Sequence, residues 1–377
     1  MKSAHVLAPE GHILKAAVLA DFGAPLEIRD LPDPKLGTGE VIVDVAAAAV
    51  TSYASRVFNG SRNYLLETPV APGAGGIGRV RHTGPDSTKL KAGDWVYIDA
   101  TIRSRDEIAE PEQILLGWTY RTAAALPLHR FYHHGTFAEQ VLVPTENVTR
   151  IGDIDAADAG KWTALGQFLV PYGGLRAGAL SAGETLVVNG ATGGFGSAAV
   201  AVALGMGAAT VVATGRNEQT LAELVSRFGH RVRTVAMTGV EEIDRRAIVV
   251  AAGAPIDMVF DILPREASAT LVRAAALSVR LGGRVILMGG LRGKEGDLGI
   301  NYNWLMHNET TLRGVWMYSR EAIPAMIRMV RAGLVDLAHI DVTEFALDDA
   351  NAAVAHAAEV SGPYKLTVLR PDRGGTA

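Results

Sequence analysis

The chain has 377 residues, 48% of them hydrophobic, which is enough apolar material for a sizeable core in two to three domains. Its 36 basic and 40 acidic residues nearly balance, so no basic field predicts nucleic acid or an anionic membrane as a partner. The absence of cysteine excludes disulfides, thiolate zinc sites, iron–sulfur clusters and a cysteine nucleophile.

The beginning of the sequence, "MKSAHVLAPEGHIL", has no apolar stretch of signal-peptide length. No apolar run long enough to span a membrane and free of glycine and charge appears further along. We therefore expect a cytoplasmic protein that does not associate with membranes.

The first half of the sequence indicates a compact β unit. Short alternating or β-branched segments are separated by turn residues, as in "LKAAVLADFG", "EVIVDVAAAAV", "GRVRHTG", "AGDWVYIDA" and "GTFAEQVLVP". From about residue 158 apolar strands alternate with alanine-rich helical segments, from "TLVVNG" and "SAAVAVALGMG" to "GRVILMGG". This alternation predicts a parallel sheet covered on both faces. The last segment pairs a helix with a strand that could return to the β unit.

Two glycine clusters compete for the role of nucleotide-binding turn. Gly73, Gly75 and Gly78 match the spacing G-x-G-x-x-G, but the segment follows two prolines and precedes a strand-like stretch. The cluster "GATGGFGS" at residues 190–197 instead follows a buried strand and begins a helix, which is the context that a dinucleotide pyrophosphate requires. We expect the second cluster to bind the cofactor through Ala191, Thr192, Gly193, Gly194, Phe195 and Gly196.

The end of the following strand distinguishes NAD from NADP. NAD sites carry an acidic residue about 20 positions after the glycines, whereas NADP sites replace it and supply arginine. The strand "ATVVAT" ends in Thr214, Gly215, Arg216 and Asn217, without a carboxylate, and Gly215 lies 19 residues after Gly196. We therefore predict NADPH as the cofactor, with Arg216 on the 2′-phosphate. The alternative is that Arg216 is a solvated loop charge.

The order of "KAAVLADFG", "PVAPG", "KAGDWV", "GTFAEQVLVP", "VVNGATGGFGSAAV", "GGRVILMGG" and "GPYKLTVL" resembles the medium-chain dehydrogenase/reductase superfamily over nearly the whole chain. The resemblance implies an α/β fold in which a GroES-like β-rich catalytic domain, residues 1–160 completed by 320–377, accompanies a Rossmann doubly wound parallel-sheet domain, residues 161–319. It also implies a homodimer or homotetramer, and a cofactor site that includes Thr163, Met288 and Gly289.

The same resemblance predicts a zinc-independent protein. Zinc alcohol dehydrogenases of the superfamily carry Cys-His-x-Asp where this chain has residues 51–54, and Gly-His-Glu where it has residues 73–75. Neither segment supplies zinc ligands. The histidines of "LHRFYHHGTF" are expected to be loop residues, with no metal bound. The chain is thus similar to the branch that contains quinone oxidoreductases and enoyl or enone reductases.

A pocket without a metal suits conjugate reduction, because an enolate can be stabilised by hydrogen-bond donors and protonated by a positioned acid. Enoyl reductases of the superfamily place a tyrosine just after the glycine matched by Gly60, and here Tyr64 comes two positions later. Tyr64 is the candidate acid, against the alternative of a rim aromatic, and Tyr53 is the second candidate. The predicted substrate is a small carbonyl-activated alkene or a quinone. Alcohol or ketone oxidoreduction without zinc, and non-catalytic NADPH binding, remain the alternatives.

Overall fold

The computed structural model describes residues 13–107, 109–360 and 362–371. These residues divide into two compact units. The first unit contains the described residues up to Ala164, Val342–Val360 and residues 366–371, and the second contains Leu165–Asp341 with residues 362–365. No helix in the described ranges is both long and apolar enough to cross a membrane.

The strands, in chain order, are β1 (Ile13–Leu19), β2 (Leu26–Pro32), β3 (Glu40–Val50), β4 (Gly76–Thr83), β5 (Trp95–Ile98), β6 (Thr101–Arg103), β7 (Gln113–Leu115), β8 (Thr119–Tyr120), β9 (Gln140–Pro144), β10 (Val148–Arg150), β11 (Thr185–Asn189), β12 (Thr210–Gly215), β13 (Val232–Ala236), β14 (Met258–Asp261), β15 (Arg284–Leu287), β16 (Thr311–Gly314), β17 (Asp341–Ala346) and β18 (Lys365–Arg370).

The α-helices are α1 (Ala54–Phe58), α2 (Leu126–Phe131), α3 (Ala159–Trp162), α4 (Ala164–Ala177), α5 (Gly194–Gly205), α6 (Glu218–Phe228), α7 (Glu241–Ala252), α8 (Ala269–Ala276), α9 (Tyr302–His307), α10 (Ala322–Arg331) and α11 (Ala350–Glu359).

The first unit is built around β3, whose run "EVIVDVAAAAV" is buried along most of its length. This strand pairs antiparallel with β4 and β9, and its last residues pair with Thr367–Leu369 of β18. Smaller sheets are formed by β1 with β2 and by β6, β7 and β8. The expected return of the last strand to the β unit is therefore confirmed.

The second unit contains a parallel sheet in the order β13-β12-β11-β14-β15-β16. Numbered from β11, this is the order 3-2-1-4-5-6 of a doubly wound dinucleotide-binding fold, and the order reverses between β11 and β14. The strands have buried apolar cores, as expected for a sheet covered on both faces. The predicted α/β fold, a GroES-like unit with a Rossmann unit, is confirmed.

The boundary between the units differs from the sequence-based expectation at residue 320. The second unit continues to Asp341 and includes α10. This helix buries Ala322, Ile323, Met326 and Ile327 along one side. The segment that follows it packs on the end of α5, because a Cβ added at Gly205 would lie 2.7 Å from the carbonyl oxygen of Leu334. An amphipathic helix does not reveal from its own pattern which unit covers its apolar side.

Candidate dinucleotide site and tyrosine cluster

The turn between β11 and α5 is shaped for an anion. Gly190 has a φ of +95°, which favours glycine, and Gly193 is extended immediately before α5 begins. A Cβ on Gly196 would overlap the carbonyl oxygen of Gly190, so the turn closes tightly only with glycine there. The first-turn amides of a helix lack acceptors within the helix. The turn therefore has room and donors for a pyrophosphate, and the residues fit a dinucleotide.

The loop after β12 lies against this turn. The Ala191 amide donates to the carbonyl oxygen of Thr214 over 2.8 Å. The side chain of Thr192 contacts Gly215, where an added Cβ would overlap its methyl group. Phe195 is half-buried at the start of α5. The structure thus brings together the cofactor candidates that follow the first two strands of the sheet.

Arg216 and Asn217 form the next step of that loop. Arg216 is exposed, as a residue that meets a ligand from solvent must be. The side-chain oxygen of Asn217 accepts from the Thr220 amide over 3.0 Å and caps α6. Asn217 is therefore the N-cap of α6, a role that the sequence did not predict. The contact of either residue with a cofactor stays a prediction.

Met288 and Gly289 follow β15 at the same edge of the sheet. The Met288 amide donates to the carbonyl oxygen of Asp261 over 2.9 Å. Gly289 lies so close to the Asp261 carboxyl that an added Cβ would be 2.5 Å from Oδ2. The backbone of Met288 and Gly289 therefore packs against Asp261, the last residue of β14.

The sequence interpretation missed a buried polar row across these strand ends. Thr214 Oγ1 donates to Asn189 Oδ1 over 2.8 Å, and Asn189 Nδ2 donates to Asp261 Oδ1 over 2.8 Å. Burial raises the pKa of Asp261 to about 7, although hydrogen bonds from Asn189 and the Leu263 amide oppose this effect. The sequence feature that could have predicted this row is the polar residue at the end of each of two apolar strands, "TLVVN" and "MVFD".

Thr163 belongs to the first unit, at the end of α3. Its hydroxyl is buried and donates to the carbonyl oxygen of Gly160 over 2.6 Å. The proton of the hydroxyl thus has a local acceptor, while its oxygen retains acceptor capacity. Its predicted place beside a nicotinamide remains a prediction.

Both candidate tyrosines lie around one guanidinium in the first unit. The Arg62 guanidinium carbon is 4.5 Å from the ring centroid of Tyr53 and 5.5 Å from that of Tyr64. Arg62 Nε also donates to the Tyr64 hydroxyl over 3.3 Å. Such cation–π contacts stabilise the charge on an aromatic face. The structure brings Tyr53 and Tyr64 together, and it adds Arg62, which the sequence interpretation missed.

The phenol of Tyr53 is held in its neutral form. Burial raises its pKa above the ordinary tyrosine value, and Tyr64 adds to the shift, whereas Arg62 and the polar groups of Thr51 and Trp118 oppose it. The Trp118 ring meets Tyr53 edge-on, with centroids 6.0 Å apart. Tyr53 therefore retains its proton at neutral pH and can donate a hydrogen bond.

The segments that would carry zinc ligands do not fit the metal. Thr51 and Ala54 replace cysteine and aspartate in the first segment. In the second, Gly75 has a φ of +85° and an added Cβ would lie 2.6 Å from the carbonyl oxygen of Ile98, so the backbone excludes a ligand side chain. Within the described ranges, no three residues of His, Cys, Asp or Glu are grouped so that they could hold a metal ion.

A doubly wound sheet with a glycine turn at its reversal point is the arrangement of a dinucleotide-binding protein, and here the same chain also forms an antiparallel β unit. Residues 37–153 match the family described as alcohol dehydrogenase GroES-like domain, and residues 194–332 match the family described as zinc-binding dehydrogenase. The chain belongs to the medium-chain dehydrogenase/reductase superfamily of oxidoreductases, whose members bind NAD(P).

Several curated proteins and solved structures are similar to this chain. An L-threonine 3-dehydrogenase of Streptomyces coelicolor is 28% identical over 93% of this chain and 97% of its own length. A sorbitol dehydrogenase of Bacillus subtilis is 23% identical over 96% and 98%. A zinc-binding dehydrogenase of Sinorhizobium meliloti, solved with NADP, superposes with a TM-score of 0.77 at 19% identity, covering 96% of this chain and 100% of the other.

A second solved structure, an alcohol dehydrogenase of Escherichia coli with NADH, has a TM-score of 0.75 at 17% identity, covering 96% and 100%. The two structural neighbours hold different dinucleotides. The expected resemblance is thereby confirmed for the superfamily, and the assignment to the quinone and enoyl reductase branch stays a prediction.

Proposed function

We propose that the protein is an NADPH-dependent, zinc-independent reductase that transfers hydride to an activated C=C bond, as in an enone or enal, or to a quinone. The observation that carries this proposal is the cluster of Tyr53, Arg62 and Tyr64. Tyr53 belongs to residues 51–54, where zinc-dependent members of the superfamily carry their first ligands, and the Arg62 guanidinium lies over its ring. Hydrogen-bond donors and a positive charge stand there in place of a Lewis acid.

NADPH supplies the hydride when it is bound. The amides at the start of α5 would bind its pyrophosphate, because Gly193 places no side chain over them and Gly196 allows the turn to close tightly. Arg216 would bind the 2′-phosphate through a charge-assisted hydrogen bond, which is stronger than a neutral one. The absence of a carboxylate from residues 214–217 supports this preference.

Conjugate reduction places two demands on the chain's own residues. Hydride addition to the β-carbon shifts the π electrons toward the carbonyl oxygen and leaves an enolate, which needs stabilising charge. The Arg62 guanidinium and a neutral tyrosine hydroxyl supply that stabilisation. The α-carbon then takes a proton from a tyrosine, which solvent reprotonates, so that one hydride and one proton add across the C=C bond.

A second candidate function is alcohol or ketone oxidoreduction without zinc. The names of the similar curated proteins favour it, since these include threonine, sorbitol and alcohol dehydrogenases. The lack of zinc-ligand chemistry in residues 51–54 and 73–75 opposes it. Non-catalytic NADPH binding is the remaining alternative, because a fold does not by itself specify a function.

The test is an assay of NADPH oxidation with 2-cyclohexenone, with NADH in parallel and with product identification by mass. We expect the saturated ketone and a preference for NADPH. A simple quinone is the second acceptor. NADP⁺ reduction with L-threonine or a polyol, without any enone or quinone turnover, would support the alcohol dehydrogenase function. Binding of NADPH without turnover on any of these compounds would favour the non-catalytic alternative.

Further expectations from the sequence, on assembly, location and partners, stay predictions. We expect a homodimer or homotetramer, which sedimentation velocity of the full chain would distinguish from a monomer. A cytoplasmic location and a small-molecule substrate, with no nucleic acid partner, are the other expectations of the same kind.

A further inference from the structure

The buried polar row lies at the reversal point of the parallel sheet. Asn189 is in register with Thr214 on one side and with Asp261 on the other. Its amide spans β11 and β14, the two strands between which the strand order reverses. Ligands of open α/β sheets bind outside the carboxyl ends of the strands at this point. The Asn189–Asp261 hydrogen bond therefore lies directly beneath the expected cofactor position.

Within the described ranges, no charged group contributes to the pKa of Asp261. Asp261 is 2% exposed, and the groups that face it are the Asn189 amide, the Leu263 backbone amide and the Gly289 backbone, all of them uncharged. A carboxylate in such surroundings is costly, and burial raises the pKa of Asp261 to about 7. Both protonation states are thus accessible near neutral pH.

The same carboxyl is linked to the backbone of the glycine turn through Leu263. A Cβ added at Gly190 would lie 3.4 Å from the Leu263 nitrogen, whose N–H donates to Asp261. Asn189 immediately precedes Gly190, and Thr214 immediately precedes Gly215, which contacts Thr192. Each hydrogen bond of the row therefore fixes the base of a loop that carries cofactor candidates.

We propose that Asp261 is a positioning residue for the dinucleotide, acting through Asn189 and Thr214, and that occupation of the glycine turn by the anionic pyrophosphate is coupled to protonation of the Asp261 carboxyl group. This inference rests on the proposed function insofar as it requires dinucleotide binding at the glycine turn. It does not depend on which substrate is reduced.

The sign of the coupling follows from the charges. A pyrophosphate disfavours a nearby carboxylate, so cofactor binding raises the pKa of Asp261 and the protein takes up protons. Affinity is therefore highest below about pH 7 and falls as pH rises through the pKa of free and then of bound protein. A rise of one pKa unit on binding corresponds to a tenfold loss of affinity across this range and to uptake of about 0.4 proton at pH 7.

The experiment is calorimetric titration of the full chain with NADH and NADPH at pH 7, in buffers of different ionisation enthalpy, together with dissociation constants from pH 6 to 9. NADH lacks the 2′-phosphate and controls for titration of that group. We expect proton uptake with both dinucleotides in the unmodified protein and none in Asp261→Asn, whose affinity should not vary with pH in this range. Thermal unfolding of each variant monitors its fold.

Thr214→Val is the second variant, because it removes the hydroxyl that donates to Asn189 and leaves Asp261 in place. We expect it to bind both dinucleotides several-fold more weakly while retaining proton uptake. Unchanged affinity in Thr214→Val would refute the positioning role. If Asp261→Asn does not fold, the proton uptake of the unmodified protein still tests the coupling to protonation. The affinity of Thr214→Val still tests the positioning role.

The outcomes separate this inference from the proposed function. Dinucleotide binding without proton uptake, or uptake that persists in Asp261→Asn, would overturn the role of Asp261 and leave the proposed reductase intact. Uptake with NADPH alone would assign the titration to the 2′-phosphate and also overturn it. Failure of both dinucleotides to bind would refute both proposals.

Discussion

The side chain of Thr192 lies directly on the Cα of Gly215, so that the turn after β11 and the loop after β12 are in van der Waals contact. The Ala191 amide reinforces this contact through its hydrogen bond to the Thr214 carbonyl oxygen. The two loops that would hold the pyrophosphate and the 2′-phosphate of NADPH therefore cannot shift independently.

Gly215→Ala is expected to weaken binding of both NADPH and NADH. The new methyl group would overlap the Thr192 methyl and approach its hydroxyl within 2.9 Å, and overpacking of this kind costs about 1–3 kcal/mol. Adding Thr192→Ala should restore most of the affinity, because it removes the methyl and the hydroxyl, the two nearest of the three contacting atoms. Dissociation constants from NAD(P)H fluorescence measure the effect, and an unchanged value in Gly215→Ala alone would contradict the described contact.

Arg216→Ala is expected to weaken NADPH binding by about 10- to 100-fold, the equivalent of a lost charge-assisted hydrogen bond of about 1.5–3 kcal/mol. NADH binding should change little. Arg328→Ala is the matched control, because Arg328 is an exposed arginine on α10. Equal weakening of NADPH and NADH would remove Arg216 from the 2′-phosphate and return it to the role of a solvated loop charge.

Tyr64→Phe is expected to lower kcat for an enone by about 10²- to 10⁴-fold, the usual contribution of a positioned general acid. NADPH binding should stay unchanged, since Tyr64 is not among the residues expected to bind the cofactor. Tyr53→Phe distinguishes the two candidates, because the larger loss of kcat identifies the proton donor. Tyr302→Phe is the control, as this ring is 78% exposed on α9. Loss of activity in neither tyrosine variant would assign protonation to water.

Stability is expected to fall in acid because of His129. This side chain lies in α2 and is fully buried, so the expectation of a loop histidine was wrong for His129. Burial lowers its pKa to about 4. The folded protein thus binds fewer protons here than the unfolded chain, so this contribution is complete above the unfolded pKa of about 6.5 and is lost as pH falls toward 4.

The shift in the His129 pKa corresponds to at most about 3 kcal/mol. Urea unfolding at pH 7.5 and pH 4.5 measures the loss, and His129→Gln should reduce the difference between the two free energies of unfolding. His307→Gln, at an exposed histidine of α9, should leave it unchanged. An equal pH dependence in His129→Gln would place the acid sensitivity elsewhere.

Treatment with a chelator is expected to leave reductase activity unchanged. Residues 51–54 and 73–75 supply no zinc-ligand chemistry, and Gly75 has no space for a side chain. Elemental analysis of the purified protein checks the same point independently. A stoichiometric transition metal that is removed together with activity would refute the zinc-free mechanism.

The sequence by itself determined the features that depend on neighbouring residues. The glycine turn at residues 190–196 was separable from the G-x-G-x-x-G motif at residues 73–78. A strand precedes the turn and a helix begins within it, whereas the motif at residues 73–78 continues into a strand, β4. Alternation of apolar strands and helices predicted the parallel sheet in the same way. These properties follow from local backbone geometry and from the periodicity of hydrophobic residues, both of which can be read directly from the amino-acid sequence.

Only the tertiary structure decided what depends on residues far apart in the chain. The placement of α10 in the second unit depends on which apolar surface covers it. The hydrogen bond between Asn189 and Asp261 joins residues 72 positions apart. The contacts of the Arg62 guanidinium with the rings of Tyr53 and Tyr64 depend on how the chain turns between these residues. Such pairings arise when strands and turns are packed side by side, and no local pattern specifies which polar groups will then share a low-dielectric interior.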